Sequence, residues 1–350
     1  MKHQSMPLRI TRREFLRHSL LGAAGWTFAQ KFSSAEIFAG QQNTDFPKGR
    51  VLRETATLFS APAFTSHPIG HVGMNTVVDL LESVTGQADE HGNDSWYRIA
   101  NALYLHASEI QPVEEHFNLP ELNVSRYGKL AMVTRPYTRA WKAPFSRKKE
   151  FIIIYYGSNH WITGVIQAED GSFYYRIEED QWQELYYVEA KNLYFFTPKE
   201  LEPISTQVLP EEKRLEVDLS RQQVTAYENE KAVFQSPMSS GLRENHKDYS
   251  TPPGEYTIIL KRPSRHMTHN DRLNNTDSEL YGVPWVCNFT ESGIAFHGTY
   301  WHNEFTYPHS HGCINLPIEA ARWIYRWSEP SVPLRERKFV TRHGTRVIVF

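Results

Sequence analysis

From Gly49 to Val113 the chain is written in short apolar runs, each closed by a turn former. Val51-Leu52, Thr57-Leu58-Phe59, Ile69-Gly70-His71-Val72, Val77-Val78-Asp79-Leu80-Leu81 and Trp96-Tyr97-Arg98-Ile99 are punctuated by Pro62, Pro68, Gly73, Gly86 and Gly92-Asn93. Runs this short predict the strands of a small barrel and leave no room for long helices. From Leu122 to Pro203 a similar order returns. Ala61-Pro62 is echoed by Ala143-Pro144, Trp96-Tyr97-Arg98-Ile99 by Tyr174-Tyr175-Arg176-Ile177, and Tyr104-Leu105-His106-Ala107 by Tyr187-Val188-Glu189-Ala190. An internal repeat explains these echoes most economically.

Composition narrows the partners. A chain of 350 residues is long enough for two or three domains. Its net charge of −2 lacks the basic excess that drives nonspecific nucleic-acid binding, so no nucleic-acid partner is expected. Residues 1–30 hold five basic residues and one acidic one, which leaves the remainder at −6. With 19 Phe, 18 Tyr and 9 Trp the chain is too aromatic for disorder. Its two cysteines cannot form a disulfide framework, so each needs its own explanation.

The N-terminus reads as an address. Thr11-Arg12-Arg13-Glu14-Phe15-Leu16-Arg17 precedes the uncharged run from His18 to Gln30, which is too short to span a bilayer. A charged segment, a short apolar segment and small residues near Ala35 or Ala39 form a secretory signal over residues 1–40. The paired arginines resemble a twin-arginine signal, with Arg17 where that pattern usually has Lys. The resemblance implies export of a folded protein to the cell wall or periplasm, with no membrane span in the mature chain. Both β modules, at 48–114 and 122–205, resemble bacterial SH3-like domains, small barrels often attached to cell-wall enzymes. Trp96, Tyr97, Tyr174, Tyr175 and Trp182 either line a wall-ligand groove or fill the barrel cores.

A third domain is expected at 213–350. Alternation at Leu215, Val217 and Leu219 marks a half-buried strand, followed by strands at Gln223–Tyr227 and Ala232–Ser236 around the turn Glu228-Asn229-Glu230-Lys231. Thr251-Pro252-Pro253-Gly254 turns into a further strand, Glu255–Leu260. The polar stretch from Arg262 to Glu279, with His266, His269 and Asn274-Asn275, reads as a long binding loop. His246, His266 and His269 read as solvated loop residues.

The chemistry concentrates in Gly293-Ile294-Ala295-Phe296-His297-Gly298-Thr299 and Ser310-His311-Gly312-Cys313-Ile314-Asn315-Leu316-Pro317. His297 ends an apolar run that predicts a buried strand. Cys313 precedes a helical pattern expected to start at Asn315 or Leu316, with Ile318, Ala321, Ile324 and Trp327 at helical spacing. A thiol just ahead of a helix N-terminus sees unpaired N–H groups that favour the thiolate, and an imidazole nearby takes its proton. The N–H groups of Gly312 and Cys313 are candidates to receive a developing oxyanion. These residue types fit acyl transfer through a thioester.

The same residues resemble the L,D-transpeptidase (YkuD-type) catalytic domain. Its mark is a His-Gly near a strand end, then Ser/Thr-His-Gly-Cys followed two residues later by Arg or Asn. Ser239-Ser240-Gly241, Thr251-Pro252-Pro253-Gly254-Glu255-Tyr256 and the closing strand Thr345–Val349 extend the likeness. The resemblance implies a mainly β chain in which two SH3-like barrels precede a β-rich catalytic domain with a short helix after the cysteine. It implies a monomeric enzyme acting on peptidoglycan stem peptides, without metal or organic cofactor. Cys313 would be the nucleophile, His297 its general base and the carbonyl of Gly298 the group orienting the imidazole. Ser310, His311 and Asn315 would shape the substrate site, with Trp301 and Tyr281 as further cleft candidates; Tyr300 and His302 read as surface residues. An L,D-carboxypeptidase using water as acceptor shares the first half-reaction, and a noncatalytic wall-binding protein is the alternative from another class. A zinc site built on His309, His311 and Cys313 is a third reading. Cys287, flanked by Trp285 and Phe289, reads as a buried core thiol.

Overall fold

The computed structural model describes residues 48–143, 150–244, 246–271 and 276–350; the signal reading at 1–40, Pro144 and Asn274-Asn275 lie outside the described residues. Mostly β, they fall into two compact units that part after Val113. Among them no helix is long and apolar enough to cross a membrane.

The first unit contains β1 (Lys48–Val51), β2 (Thr55–Phe59), β3 (Pro68–Gly73), β4 (Val77–Asp79), β5 (Glu82–Thr85), β6 (Ser95–Ala100), β7 (Leu103–His106) and β8 (Ile110–Val113). They form a three-stranded sheet, β4-β1-β8, and a five-stranded sheet, β3-β2-β7-β6-β5. Val51, Leu58, Tyr97, Leu105 and Ile110 make the core between them.

The second unit opens with seven strands in one sheet, ordered β11-β10-β14-β13-β12-β9-β15. These are β9 (Lys129–Val133), β10 (Tyr137–Trp141), β11 (Phe151–Tyr155), β12 (Asn159–Gln167), β13 (Phe173–Glu178), β14 (Leu185–Glu189) and β15 (Leu193–Phe195). The echoes seen in sequence occupy equivalent registers. Tyr97 faces Leu105 and Arg98 faces Tyr104 across β6 and β7, as Tyr175 faces Val188 and Arg176 faces Tyr187 across β13 and β14. Each hairpin runs through one turn of 3-10 helix, at Ala107–Glu109 and Ala190–Asn192, into a last strand that pairs with the first strand of its module. Trp96, Tyr97 and Tyr175 are buried, so these three belong to cores; Trp182 is exposed.

A short helix α1 (Pro198–Leu201), capped by Thr197, leads to the C-terminal part. There a five-stranded sheet, β18-β17-β16-β27-β21, is built from β16 (Lys213–Asp218), β17 (Gln223–Glu228), β18 (Lys231–Pro237), β21 (Gly254–Thr257) and β27 (Arg346–Val349). A two-residue pair, β19 (Arg243–Glu244) with β20 (Lys247–Asp248), sits apart from it. A second sheet, β25-β24-β23-β22-β26, contains β22 (Leu260–Asp271), β23 (Thr276–Asn288), β24 (Ala295–Gly298), β25 (Ile314–Leu316) and β26 (Phe339–Val340). Helix α2 (Ile318–Trp327) packs Ala321, Ile324 and Trp327 into one core with Leu215 and Val217 of the first sheet and Phe296, Ile314 and Leu316 of the second.

Two expectations are corrected here. Within the stretch from Arg262 to Glu279 the described residues form a long two-stranded ribbon, β22 paired with β23, where an irregular loop was expected. Its polarity reflects where the ribbon lies, against polar groups of the second module. Asn159 donates to the Pro263 carbonyl at 2.9 Å, His266 bonds Glu179 at 2.7 Å, and Asp180 receives Arg262 at 3.0 Å and Arg265 at 2.8 Å. His266 is therefore buried, 1% exposed, and not a solvated loop residue. Gly282 permits the approach: a Cβ there would meet the Asn159 carbonyl oxygen at 2.5 Å, at a φ of 70°.

The second correction concerns the helix. Asn315 and Leu316 belong to strand β25, Pro317 is the N-cap and α2 begins at Ile318. The C-terminal end of α2 is held by two buried lysines, one from each sheet. Lys261 donates to the carbonyls of Tyr325 at 2.5 Å, Ser328 at 2.8 Å and Pro330 at 2.8 Å, and Lys213 to that of Trp327 at 3.0 Å. Cations at this end complement the helix dipole. Burial nevertheless holds the Lys261 ammonium down to about 8.

Candidate active site

Strands β24 and β25 run parallel, with Phe296 beside Ile314 and His297 beside Asn315. Side chains alternate along a strand. Phe296, Ile314 and Leu316 enter the main core, while Cys313 packs with Ala295, Val283, Val286 and Trp301 on the other face. His297, Asn315 and Cys313 therefore share one face of the sheet. Cys313 stands just ahead of β25, two residues before the Asn315 that lies beside His297. The Trp301 ring lies 5.6 Å from that of His297.

His297 is 2% exposed. Its Nδ1 lies 3.2 Å from the Gly298 carbonyl, a partner that only accepts, so Nδ1 carries the hydrogen and Nε2 the lone pair. Burial pushes the imidazole down to about 4, opposed by this hydrogen bond. The ring is therefore neutral near pH 7. Burial also pushes the half-buried Cys313 thiol up, opposed by a backbone hydrogen bond at Ala295. The helix whose N–H groups were expected to favour the thiolate starts farther along the chain, at Ile318. With β25 between Cys313 and the helix, the thiol lies outside the first turn, where the dipole acts.

The backbone at Cys313 is clamped by hydroxyls. Ser310 Oγ donates to the Cys313 carbonyl at 2.5 Å, and Thr251 Oγ1 donates to the Gly312 carbonyl at 2.8 Å while accepting the Gly241 N–H at 3.0 Å. Ser310 Oγ also accepts the Gly312 N–H at 3.0 Å. An oxyanion at Gly312 would thus compete with that hydroxyl, whereas the Cys313 N–H carries no such bond to Ser310. Ser239 exchanges both backbone bonds with Asn315, at 2.9 and 2.8 Å, and the Ser240 carbonyl accepts the N–H groups of His309 and Ser310. Gly241 must lack a side chain, because a Cβ would meet the Gly312 Cα at 2.8 Å. Gln222 fixes this strand by bonding the Ser240 N–H and hydroxyl at 2.7 and 2.9 Å.

The other candidates divide. His311 is exposed and its ring lies 4.5 Å from that of Tyr249. Tyr281 is not brought to the cysteine: its ring stacks on His266 at 4.1 Å and its hydroxyl donates to Glu279. Tyr300 and His302, read as surface residues, are 2% and 6% exposed. Tyr300 stacks on Tyr155 at 5.6 Å, so the second module braces the loop after His297. In the sequence Thr251 opens a turn and a stretch of the YkuD likeness that say nothing of its contact with Gly312, and the pattern around His302 says nothing of its contact with Asn315. Cys287 is fully buried, with its thiol pushed up to about 11 by burial. Among the described residues no three His, Cys, Asp or Glu side chains gather as a metal site.

Residues 212–349 match the model of the YkuD family, the L,D-transpeptidase catalytic domain. This part of the chain is a YkuD domain. No curated protein matches the chain. Among solved structures, an Enterococcus faecium L,D-transpeptidase is similar at 23% identity over 40% of this chain and 50% of its own, with a TM-score of 0.31. An L,D-transpeptidase from Xylanimonas cellulosilytica matches at 26% identity over 41% and 62%, with a TM-score of 0.27. One from Mycobacterium smegmatis matches at 18% over 53% and 98%, with a TM-score of 0.32. The chain spans about half the length of the Enterococcus protein it matches. The YkuD domain holds both His297 and Cys313.

Proposed function

We propose that the protein is an exported peptidoglycan L,D-transpeptidase. The observation that carries this reading is the placement of His297 in β24 and of Cys313 just ahead of β25, on one face of these parallel neighbours within the YkuD domain. Cys313 Sγ attacks the carbonyl carbon of the third stem residue as His297 Nε2 takes the thiol proton. The carbon–nitrogen bond to the terminal D-amino acid then breaks, and the imidazolium gives its proton to the leaving amine. An amine of a second stem attacks the thioester, yields its proton to His297 and restores the thiol. A neutral imidazole whose tautomer is set by the Gly298 carbonyl suits this work, because it presents a lone pair before substrate arrives. Ser310, His311, Asn315 and Trp301 bind or shape the stem peptide, and the Cys313 N–H is the better placed oxyanion donor. No metal or organic cofactor enters the reaction.

The remaining readings belong to the same proposal. The chain is exported by the twin-arginine route and works as a monomer at the wall or in the periplasm. Residues 48–114 and 122–205 are SH3-like domains ahead of a catalytic domain at 213–350. Mature protein incubated with purified tetrapeptide muropeptides should give crosslinked dimers by mass spectrometry, and Cys313→Ala should give none. Tripeptide without dimers would replace the amine acceptor by water. If the wild type forms neither product nor a covalent adduct with a carbapenem, the catalytic reading is wrong.

A further inference from the structure

Asn315 sits beside His297 in the parallel register and is 2% exposed. The amide stands with Nδ2 2.8 Å from His302 Nε2 and Oδ1 buried without a partner, an assignment that the neighbouring groups decide. A buried amide end left unpaired is costly, so one on the face of a reaction centre marks a place where something else binds. What it binds depends on which end of the amide is free. The two ends have the same shape and are distinguished by their partners.

His302 decides this. Its Nδ1 accepts the backbone N–H of Glu304 at 3.2 Å, so that nitrogen carries a lone pair. In the neutral ring the hydrogen is then on Nε2, which donates. A donor facing Asn315 requires the amide carbonyl, since an NH2 there would set two donors against each other. Asn315 therefore accepts from His302 and leaves its NH2 as the unpaired end, on the face that carries His297 and Cys313. The His302 ring is 6% exposed and is packed 4.2 Å from the ring of His309, which lies 3.7 Å from the buried Glu304 carboxylate. The ring's orientation is thus set from behind as well as in front.

We propose that His302 is a positioning residue that fixes Asn315 as a neutral hydrogen-bond donor to an oxygen of the acyl-donor peptide, a carbonyl or carboxylate next to the scissile bond. The inference rests on the acyl-transfer reading. It assigns His302 no proton transfer, only the direction of the amide.

The test uses full-length protein and tetrapeptide muropeptide as acyl donor, with release of the terminal D-amino acid as the rate and thermal melting as the check on folding. Asn315→Asp keeps the acceptor for His302 and exchanges the free NH2 for oxygen. It should raise KM about tenfold while kcat changes much less, because one hydrogen bond to bound substrate is replaced by repulsion. His302→Phe should do the same, and His302→Gln, which keeps an N–H donor, should recover most of the loss. Nitrogen-15 spectra of histidine-labelled protein, with His302 assigned from the Gln variant, should show hydrogen on Nε2. Hydrogen on Nδ1, or an unchanged KM in folded Asn315→Asp, overturns the assignment while leaving the transpeptidase reading intact. A wild type that releases no D-amino acid and takes no carbapenem overturns both.

Discussion

In the first β module β4 pairs with β1 and β5 with β6; in the second, the single strand β12 makes both kinds of pairing, with β9 and with β13 across an irregularity at Ile162. The two modules otherwise repeat each other strand for strand. Their surroundings differ more than their topology. In β12 the first five residues, Asn159–Thr163, are buried, whereas β4 buries one residue of three. Leu130, Trp161 and Phe196 of the second module enter the same apolar cluster as Leu215, Trp285 and Trp327 of the YkuD domain. The first module keeps its own core within its own compact unit. One copy of the repeat thus shares its core with the YkuD domain.

The largest expected difference lies in the aromatic anchors. Phe196 is 3% exposed and meets Trp285 of β23 edge-on at 5.2 Å. Phe196→Ala should cost about 3–5 kcal/mol of unfolding free energy. It should also lower the rate of carbapenem adduct formation, because β23 carries β24 and His297. Trp96 is fully buried in the first module, and Trp96→Ala should cost a similar amount in that unit alone. Its adduct formation, read by intact mass, should match the wild type. Loss of adduct in Trp96→Ala would break the comparison.

Acid should weaken the second unit through two buried imidazoles. His297 is held down to about 4 by burial, and His160 to about 3 by burial and by the neighbouring His266. Unfolded, each titrates near 6.5. As pH falls below that value the unfolded state takes up protons that the folded state does not, so stability drops with falling pH from about 6.5 towards 4. Urea unfolding monitored across this range should show the slope, and His160→Gln should flatten it. Adduct formation should keep its rate well below pH 6 and fall only as pH approaches 4, where His297 loses its lone pair to a proton. A midpoint near 6.5 would show that the imidazole is solvated when it reacts.

Much of this could be read in advance, and the exceptions share a cause. The β rhythm, the hairpin strands and the YkuD likeness follow from local patterns: apolar spacing, turn residues and a motif whose two halves lie at neighbouring strands. The burial of β12 did not follow. Phe151–Tyr155 is the more apolar strand, yet Phe151 is exposed and only Ile154 is fully buried. Asn159, His160 and Thr163 are polar yet buried: Asn159 Nδ2 reaches the Pro263 carbonyl, His160 the Ser158 hydroxyl, and the Thr163 hydroxyl accepts from Arg176. The same holds for His266 with Glu179 and for His302 with Asn315. A buried polar residue is legible only together with its partner, and these partners come from other strands or loops.

That logic sets the smallest predicted contrast. Asp180 is one-fifth exposed and accepts from Arg262, Arg265 and the backbone N–H of His266, joining the second module to the ribbon. Asp180→Asn keeps the shape and removes the charge that both guanidiniums face. The expected cost is about 1–3 kcal/mol, since partly buried cations lose a charged acceptor. In the first module Lys48 and Asp79 form an ion pair at 2.5 Å, with side chains 38% and 49% exposed. Water screens such a pair, and ordering two surface side chains offsets most of what attraction remains, so Lys48→Ala should cost at most about 1 kcal/mol. Denaturant midpoints at low and high salt separate the two cases. Salt should erase the Lys48 effect and leave most of the Asp180 effect, because a partly buried cluster is screened less. An Asp180→Asn loss that vanished in salt would mean that the Asp180 cluster is screened like the surface pair and is not held apart from solvent.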